Sequence, residues 1–277
     1  MTSRVCSVSL GVLAVVVLGS TTPLAQSPRV VTDEEWCRDA GSNRGMESAC
    51  EVREFTFAKP SKLTVTDSPN GSIRVTGGDR SDVVLRARVV AWADSAEDAR
   101  RLLSEVKVGV SGGTVDTSGP ERRNDDDSHW SVSVRADVPR ALDLELDTSN
   151  GSVAVSDVSG TLDLSTSNGS LTLANLSGRV DARTSNGSAR VTLSGKTWTG
   201  DGLDVSSGNG SVRIDMPEGY NARLVASTGN GTLRVDIPVP VTGRIRGRID
   251  TPIGSGGPTI RATSGNGSVR IGRAGSN

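Results

Sequence analysis

Four acidic side chains, Glu145, Asp163, Asp181 and Asp204, hold one fixed place in a repeated phrase, five residues ahead of Asn150, Asn168, Asn186 and Asn209. If folding stacks those positions, the carboxylates form a column. Asp163 and Asp181, with Arg183 beside them, could then cleave or lyse an acidic polysaccharide by acid and base work. A second column, Arg190, Arg213 and Arg234, falls four residues after Asn186, Asn209 and Asn230. Such a ladder of like charges needs neighbours or ligands to neutralise it. Other chemistry is badly served. The chain has one His, His129, and one Tyr, and it lacks G-x-S-x-G, H-E-x-x-H and a phosphate-binding loop. Cys37, Cys50 and the distant His129 fall short of the four ligands of a zinc site, and Asp125 to Asp127 lacks the alternating acids of a calcium loop. Trp36, Trp92, Trp130 and Trp198 are scattered rather than aligned as a platform for sugars. No cofactor and no metal is expected, and catalysis is the weaker reading.

The elements that must position these columns follow from the phrase itself. T-S-N-G-S returns at Thr148 to Ser152, Thr166 to Ser170 and Thr184 to Ser188, so its asparagines step by 18 residues. Looser copies centre on Asn209, Asn230 and Asn266, and an outlying P-N-G-S on Asn70. A fixed period near 20 residues means stacked supersecondary units. Three and five residues after each Asn the chain is apolar, as at Leu171 and Leu173; six and four before, likewise, as at Leu162 and Leu164. Alternation with period two is the strand pattern. Each coil should therefore hold two short strands, with Asn-Gly at one corner, where a positive φ is expected, and Ser-Gly, as at Ser177-Gly178, at another. Equivalent strands then stack in parallel about 4.8 Å apart. The prediction is an all-β, single-chain parallel β-solenoid of coils of about 18 to 21 residues, and a meander of paired hairpins is the alternative. Like charges stacked about 5 Å apart repel by about 1 kcal/mol in a water-like dielectric. Arg179 and Arg183 flank Asp181, and Asp215 and Asp236 follow Arg213 and Arg234 by two residues, so a mutually compensated, solvated surface is the plain reading.

Around the repeat, Arg4 precedes an apolar run from Val8 to Leu18 and a polar stretch ending Pro23-Leu24-Ala25. Residues 1 to 25 read as a secretory signal, too short in its apolar part to cross a bilayer. Export to the periplasm or beyond, without a membrane span, is the consequence. Cys6 leaves with the signal, and Cys37 and Cys50 remain to form a disulfide in an N-terminal segment, 26 to 58. From 59 the solenoid begins, with entry strands, a helix and a mobile loop up to 141 and regular coils from 142 to 273. Val83 to Trp92 is a strand with Leu85, Ala87, Val89 and Ala91 on one face. Ser95 to Glu105 is expected as the only helix, opened by a capping box of Asp94 and Glu97 and covering an open end of the stack. Gly243 to Gly257 reads as an irregular coil. An aromatic content of 3% suits a narrow interior of Val, Leu and Ala, and a net charge of −1 gives no general affinity for nucleic acid. The charge is uneven: Val30 to Ala189 holds 26 acidic and 18 basic residues, net −8, and Arg190 to Asn277 holds 6 and 11, net +5. In a rod those halves become ends. Weak head-to-tail self-association would follow, or docking of Arg234, Arg244, Arg246, Arg248, Arg261 and Arg270 on an anionic envelope polymer.

The phrases S-N-G-S-V-x-V and S-G-x-L-D-L behind a secretion signal, between Lys59 and Arg273, resemble a family of bacterial β-strand-repeat domains labelled putative adhesins. The resemblance implies an exported β-solenoid with no established catalytic residues, and so none to carry over. Three functions stay open. The leading one is a non-catalytic binding or adhesion module that meets an envelope or extracellular ligand with its long faces; the others are a polysaccharide-processing β-helix and a structural envelope protein.

Overall fold

A computed structural model of the chain describes residues 28–38, 40, 45–68, 70–121, 127–238 and 247–274. The signal segment, Asp125 and Asp126 of the acidic run, and Arg244 and Arg246 lie outside the described residues.

Period-two alternation produces strands almost throughout. The N-terminal part runs β1 (Arg29–Val31), the short helix α1 (Glu34–Arg38), β2 (Glu47–Ala58), β3 (Lys62–Ser68), β4 (Ile73–Gly78) and β5 (Asp82–Ala93). Helix α2 (Ala96–Glu105), β6 (Lys107–Ser111), β7 (Thr114–Ser118) and β8 (His129–Pro139) follow. Each repeat then contributes two strands: β9 (Asp143–Thr148) with β10 (Val153–Ser156), β11 (Ser159–Thr166) with β12 (Leu171–Ala174), and β13 (Ser177–Thr184) with β14 (Ala189–Thr192). The series continues with β15 (Gly202–Ser207) and β16 (Val212–Met216), then β17 (Ala222–Thr228) and β18 (Leu233–Val235). A single strand, β19 (Arg248–Ile253), precedes the last pair, β20 (Thr259–Ser264) and β21 (Val269–Arg273).

The first strand of each pair joins one sheet, ordered β19-β17-β20-β15-β13-β11-β9-β3-β7-β6, and the second joins another, ordered β1-β2-β5-β8-β4-β10-β12-β14-β16-β21-β18. Neighbouring repeats pair in parallel and in register, Leu162 between Leu144 and Val180, Leu171 between Val153 and Ala189. Inward positions meet between the sheets, where Leu144, Leu146, Leu162, Leu164, Leu171 and Leu173 are all essentially solvent-free. Each such side chain contributes about 1.5 to 3 kcal/mol of burial. A coil can collect that only against its neighbours, so the stack stands as a whole.

The ends depart from a uniform parallel stack. The P-N-G-S copy makes a full coil, β3 beside β9 and β4 beside β10. Beyond it the pairing turns antiparallel through β8, β5, β2 and β1, and β6 with β7 is an antiparallel hairpin. Helix α2 packs on β2 and β5 and buries Ala99, while Arg53 of β2 donates to the carbonyl of Val106 at its C-terminus at 2.6 Å. Its cap is Ser95 rather than Asp94: Ser95 is extended, and its hydroxyl accepts from the Asp98 amide at 3.1 Å. Helix α1 makes a second helix where one was expected. Arg248–Ile253, expected to be irregular, is a strand antiparallel to β17. The largest departure concerns order. β20 lies between β15 and β17, and β21 between β16 and β18, so the coil of Asn266 sits between those of Asn209 and Asn230.

Candidate functional site

The repeat phrase builds two ladders at one corner. In the first, each Asn side chain donates its Nδ2 to the Oδ1 of the Asn one coil away: Asn150 to Asn70 at 2.9 Å, Asn168 to Asn150 and Asn186 to Asn168 at 3.0 Å, Asn209 to Asn186 at 2.9 Å. Asn266 to Asn209 and Asn230 to Asn266, both at 2.8 Å, complete it. In the second, buried hydroxyls two residues before the asparagines donate to glycine carbonyls one coil away, Thr148 to Gly71 and Thr184 to Gly169 at 2.8 Å, Thr166 to Gly151 and Ser207 to Gly187 at 2.7 Å. Sequence reasoning missed this ladder, although the signal was there: the inward alternation at six and four residues before Asn continues to two before, where a hydroxyl replaces the aliphatic.

The corner's glycines serve closeness and not a left-handed backbone. Among the described residues none of these asparagines or their glycines has a positive φ, against expectation. A Cβ on Gly169 would lie 1.9 Å from the carbonyl oxygen of Gly151. The left-handed residues stand at the other corner, Asp157 at φ 61° and Asn175 at 54°, with the Asn175 amide donating to the Asp157 carboxylate at 3.1 Å.

On the outer face of the ten-stranded sheet, Glu145, Asp163, Asp181 and Asp204 lie side by side on β9, β11, β13 and β15. Lys62 reaches Glu145 at 2.5 Å, Arg183 pairs with Asp181, and Arg261, delivered by the inserted β20, meets Asp204 at 3.2 Å. Asp163 is exposed and has no ion pair among the described residues. Burial pushes the Asp181 carboxyl above its ordinary value; Arg183 opposes the shift, and Asp204 and Asp163 add to it. A column open to solvent lets water screen each acid, which is poor support for paired acid and base roles. No group of three potential metal ligands occurs among the described residues.

The eleven-stranded sheet carries the opposite sign. One outward row, read strand by strand, is Arg29, Glu54, Arg86, Arg135, Arg74, Ala154 and Thr172, continued by Arg190, Arg213, Arg270 and Arg234. Glu54 pairs with Arg86 and Asp215 with Arg213, each at 2.8 Å, and Asp236 bridges Arg234 at 2.7 Å and Arg270 at 3.0 Å. The Arg234 hydrogen bond chiefly holds the Asp236 carboxyl below its ordinary value. Arg135 lies over the Trp36 ring at 3.9 Å. Arg74 and Arg190 have no ion pair among the described residues. A row of Ser72, Ser152, Ser170, Ser188, Ser211, Ser268 and Thr232 runs beside the arginines, continuing the ladder through bonds such as Leu171 N–H to the Ser188 carbonyl at 3.0 Å. The spacing rule that exposed Arg190, Arg213 and Arg234 extends to Arg74 and Arg270, four residues after Asn70 and Asn266; Arg135 and Arg86 join them only through pairings that the repeat does not announce.

At the N-terminal end of this face a disulfide, Cys37 to Cys50, fastens α1 to β2 and holds Trp36 against Arg88 and Arg135. A shallow cleft of about 400 Å³ opens there between Arg29, Asp33, Glu54 and Arg86. The other tryptophans are tied into the framework: Trp92 stacks on His129, Trp130 donates to the Pro120 carbonyl at 2.9 Å, and Trp198 to that of Gly178 at 2.9 Å. None aligns as a sugar platform.

A family model described as Toastrack DUF4097 matches residues 97–272, more than half of the chain. The chain belongs to the Toastrack DUF4097 family. The match takes in every coil from β9 onward and leaves β1 to β5, with the disulfide, outside it. This Toastrack domain is similar to the solved structure of a putative cell adhesion protein from Clostridium sporogenes, with 14% identity, covering 82% of this chain and 100% of that one at a TM-score of 0.43. A putative adhesin from Bacteroides fragilis is 12% identical over 81% of this chain and 97% of its own, at a TM-score of 0.39. A putative lipid binding protein from Parabacteroides distasonis is 11% identical over 80% and 96%, at 0.23. No curated protein matches the chain. Among the described residues no helix of the Toastrack chain is long and apolar enough to cross a membrane.

Proposed function

We propose that this Toastrack domain is an exported, non-catalytic module, a parallel β-solenoid from residue 59 onward that meets an extended ligand with its outer faces in the manner of an adhesin. The observation that carries the reading is the division of charge between the two sheets, a column of acids on one and a row of arginines on the other. Register stacks equivalent outward positions, so added coils extend the same outer faces, a form suited to an extended partner rather than a small molecule. The disulfide supports an oxidising, extracytoplasmic setting. A second reading, a polysaccharide-processing enzyme using Asp163, Asp181 and Arg183, draws on the upward shift of the Asp181 carboxyl. A glycan array with wild type and an Asp163→Ala/Asp181→Ala variant, followed by size analysis of the retained glycans, tests both. Retention of intact glycan by wild type supports binding. Shortened products that vanish with the double variant would replace it with the enzyme.

A further inference from the structure

The binding reading names no ligand, and the arginine row supplies one. Four consecutive strands, β14, β16, β21 and β18, present Arg190, Arg213, Arg270 and Arg234 in register. At about 4.8 Å per strand these cations span about 14 Å. Two carboxylates face four guanidinium groups, so the stretch keeps a net positive charge. Its acids also orient it: Asp236 takes only the Nε of Arg234 and of Arg270, and a guanidinium has five donors. The Nη edges of both therefore remain for a ligand. Alongside runs a file of hydroxyls from Ser188, Ser211, Ser268 and Thr232.

We infer that this face binds a linear acidic polysaccharide, lying along the stack axis across the strands, with its carboxylates on the arginines and its hydroxyls on the serine file. The inference rests on the binding reading above and narrows it to one face and one class of ligand. Carboxylates suit the guanidinium fork. A polymer of bases would want aromatic side chains to stack on, and no outward position from β4 to β18 is aromatic. A bilayer would want apolar side chains to bury; among the described residues the one large exposed hydrophobic side chain is Val30, at the far end of the sheet. On the opposite sheet Lys62, Arg183 and Arg261 already hold three of the four column acids, so that face offers the polymer no comparable row of arginines in register.

The test is titration of the full chain with polygalacturonate at low and high salt, beside its methyl-esterified form, an oligothymidylate and phosphatidylglycerol vesicles. Polygalacturonate should bind, weaken with salt and lose its affinity on esterification. Arg74→Ala/Arg190→Ala removes two exposed cations without disturbing an ion pair, and should cost about tenfold, or about 1.4 kcal/mol. Arg179→Ala/Arg183→Ala, the same charge change on the opposite sheet, should not weaken binding. Equal losses in both variants, or retained affinity for the esterified polymer, would overturn the proposal. So would tighter binding of the oligothymidylate or the vesicles. Failure to bind any of the four, while the glycan array still shows intact retention of another glycan, would reject this ligand class and leave the binding reading standing.

Discussion

Replacing Gly169 with alanine tests why the corner uses glycine. The new Cβ would stand 1.9 Å from the Gly151 oxygen and 2.8 Å from the Thr166 hydroxyl, where ordinary contact begins near 3.4 Å. Relief requires two coils to part locally by about 1.5 Å against a spacing of about 4.8 Å. That opening breaks the Thr166 bond to Gly151, 2.7 Å long, and the Asn168 bond to Asn150, 3.0 Å. Two such bonds are worth about 0.5 to 1.5 kcal/mol each, and overpacking adds about 1 to 3. The expected loss is about 2 to 6 kcal/mol, seen as a fall in Tm of about 10 °C by calorimetry. Gly109→Ala is the control, since nothing lies within 4 Å of its Cβ position, and it should stay within about 0.5 kcal/mol. Gly169→Asn discriminates between causes. A corner that needed a left-handed backbone would tolerate Asn better than Ala; crowding makes Asn at least as harmful. A Gly169→Ala protein melting with wild type, or a distinctly milder Gly169→Asn, would refute the close-approach account.

Leu173→Asp places a charge between Val155 and Val191 in the closed interior and should abolish cooperative unfolding by circular dichroism; an unchanged melting temperature would contradict the register. Because the folded state holds the Asp181 carboxyl above its ordinary value of 3.8, ionisation works against folding as pH rises past that value. Asp181→Asn should therefore melt slightly higher than wild type at pH 7, by about 0.5 kcal/mol at most, with the gap closing below about pH 4. The opposite pH trend would show Arg183 to dominate. Intact mass of exported protein should show loss of the first 25 residues or so, and Cys37 and Cys50 should alkylate only after reduction. Sedimentation at low and high salt checks head-to-tail association, expected as a weak, salt-sensitive dimer.

The sequence revealed most where one coil repeats the next. Leu162 and Leu164 announce an inward face because period-two alternation is a local property, and the spacing of Asp94 and Glu97 announces a helix start within two residues of α2. The role of Thr166 is hidden because a hydroxyl beside Asn-Gly reads as turn polarity, and only folding brings a carbonyl one coil away to receive it. Strand direction was hidden in β5 and β8, whose alternation is the same whichever way a partner runs. The order of the last coils was hidden for a related reason. Every N-G coil offers its neighbour the same amide, hydroxyl and glycine, so matching alone cannot say which stands beside which. The arginine row inherited both gaps, since Arg135 and Arg86 enter through antiparallel strands and the place of Arg270, between Arg213 and Arg234, follows from the displaced coil.

That displacement also governs when the fold can be finished. Residues 222–235 leave the ribosome before residues 259–273, yet in the finished protein the later segment separates the earlier one from 202–216. A chain emerging from its N-terminus cannot simply add coil upon coil to the end. The coil of residues 222–235 has to stand off, or pair with 202–216 and later let go, until residues 259–273 arrive to occupy the slot. Such non-local closure slows folding relative to a stack assembled in order. Residues 259–273 are thus a timing element: the edge of the growing stack stays open to the wrong neighbour until they are present.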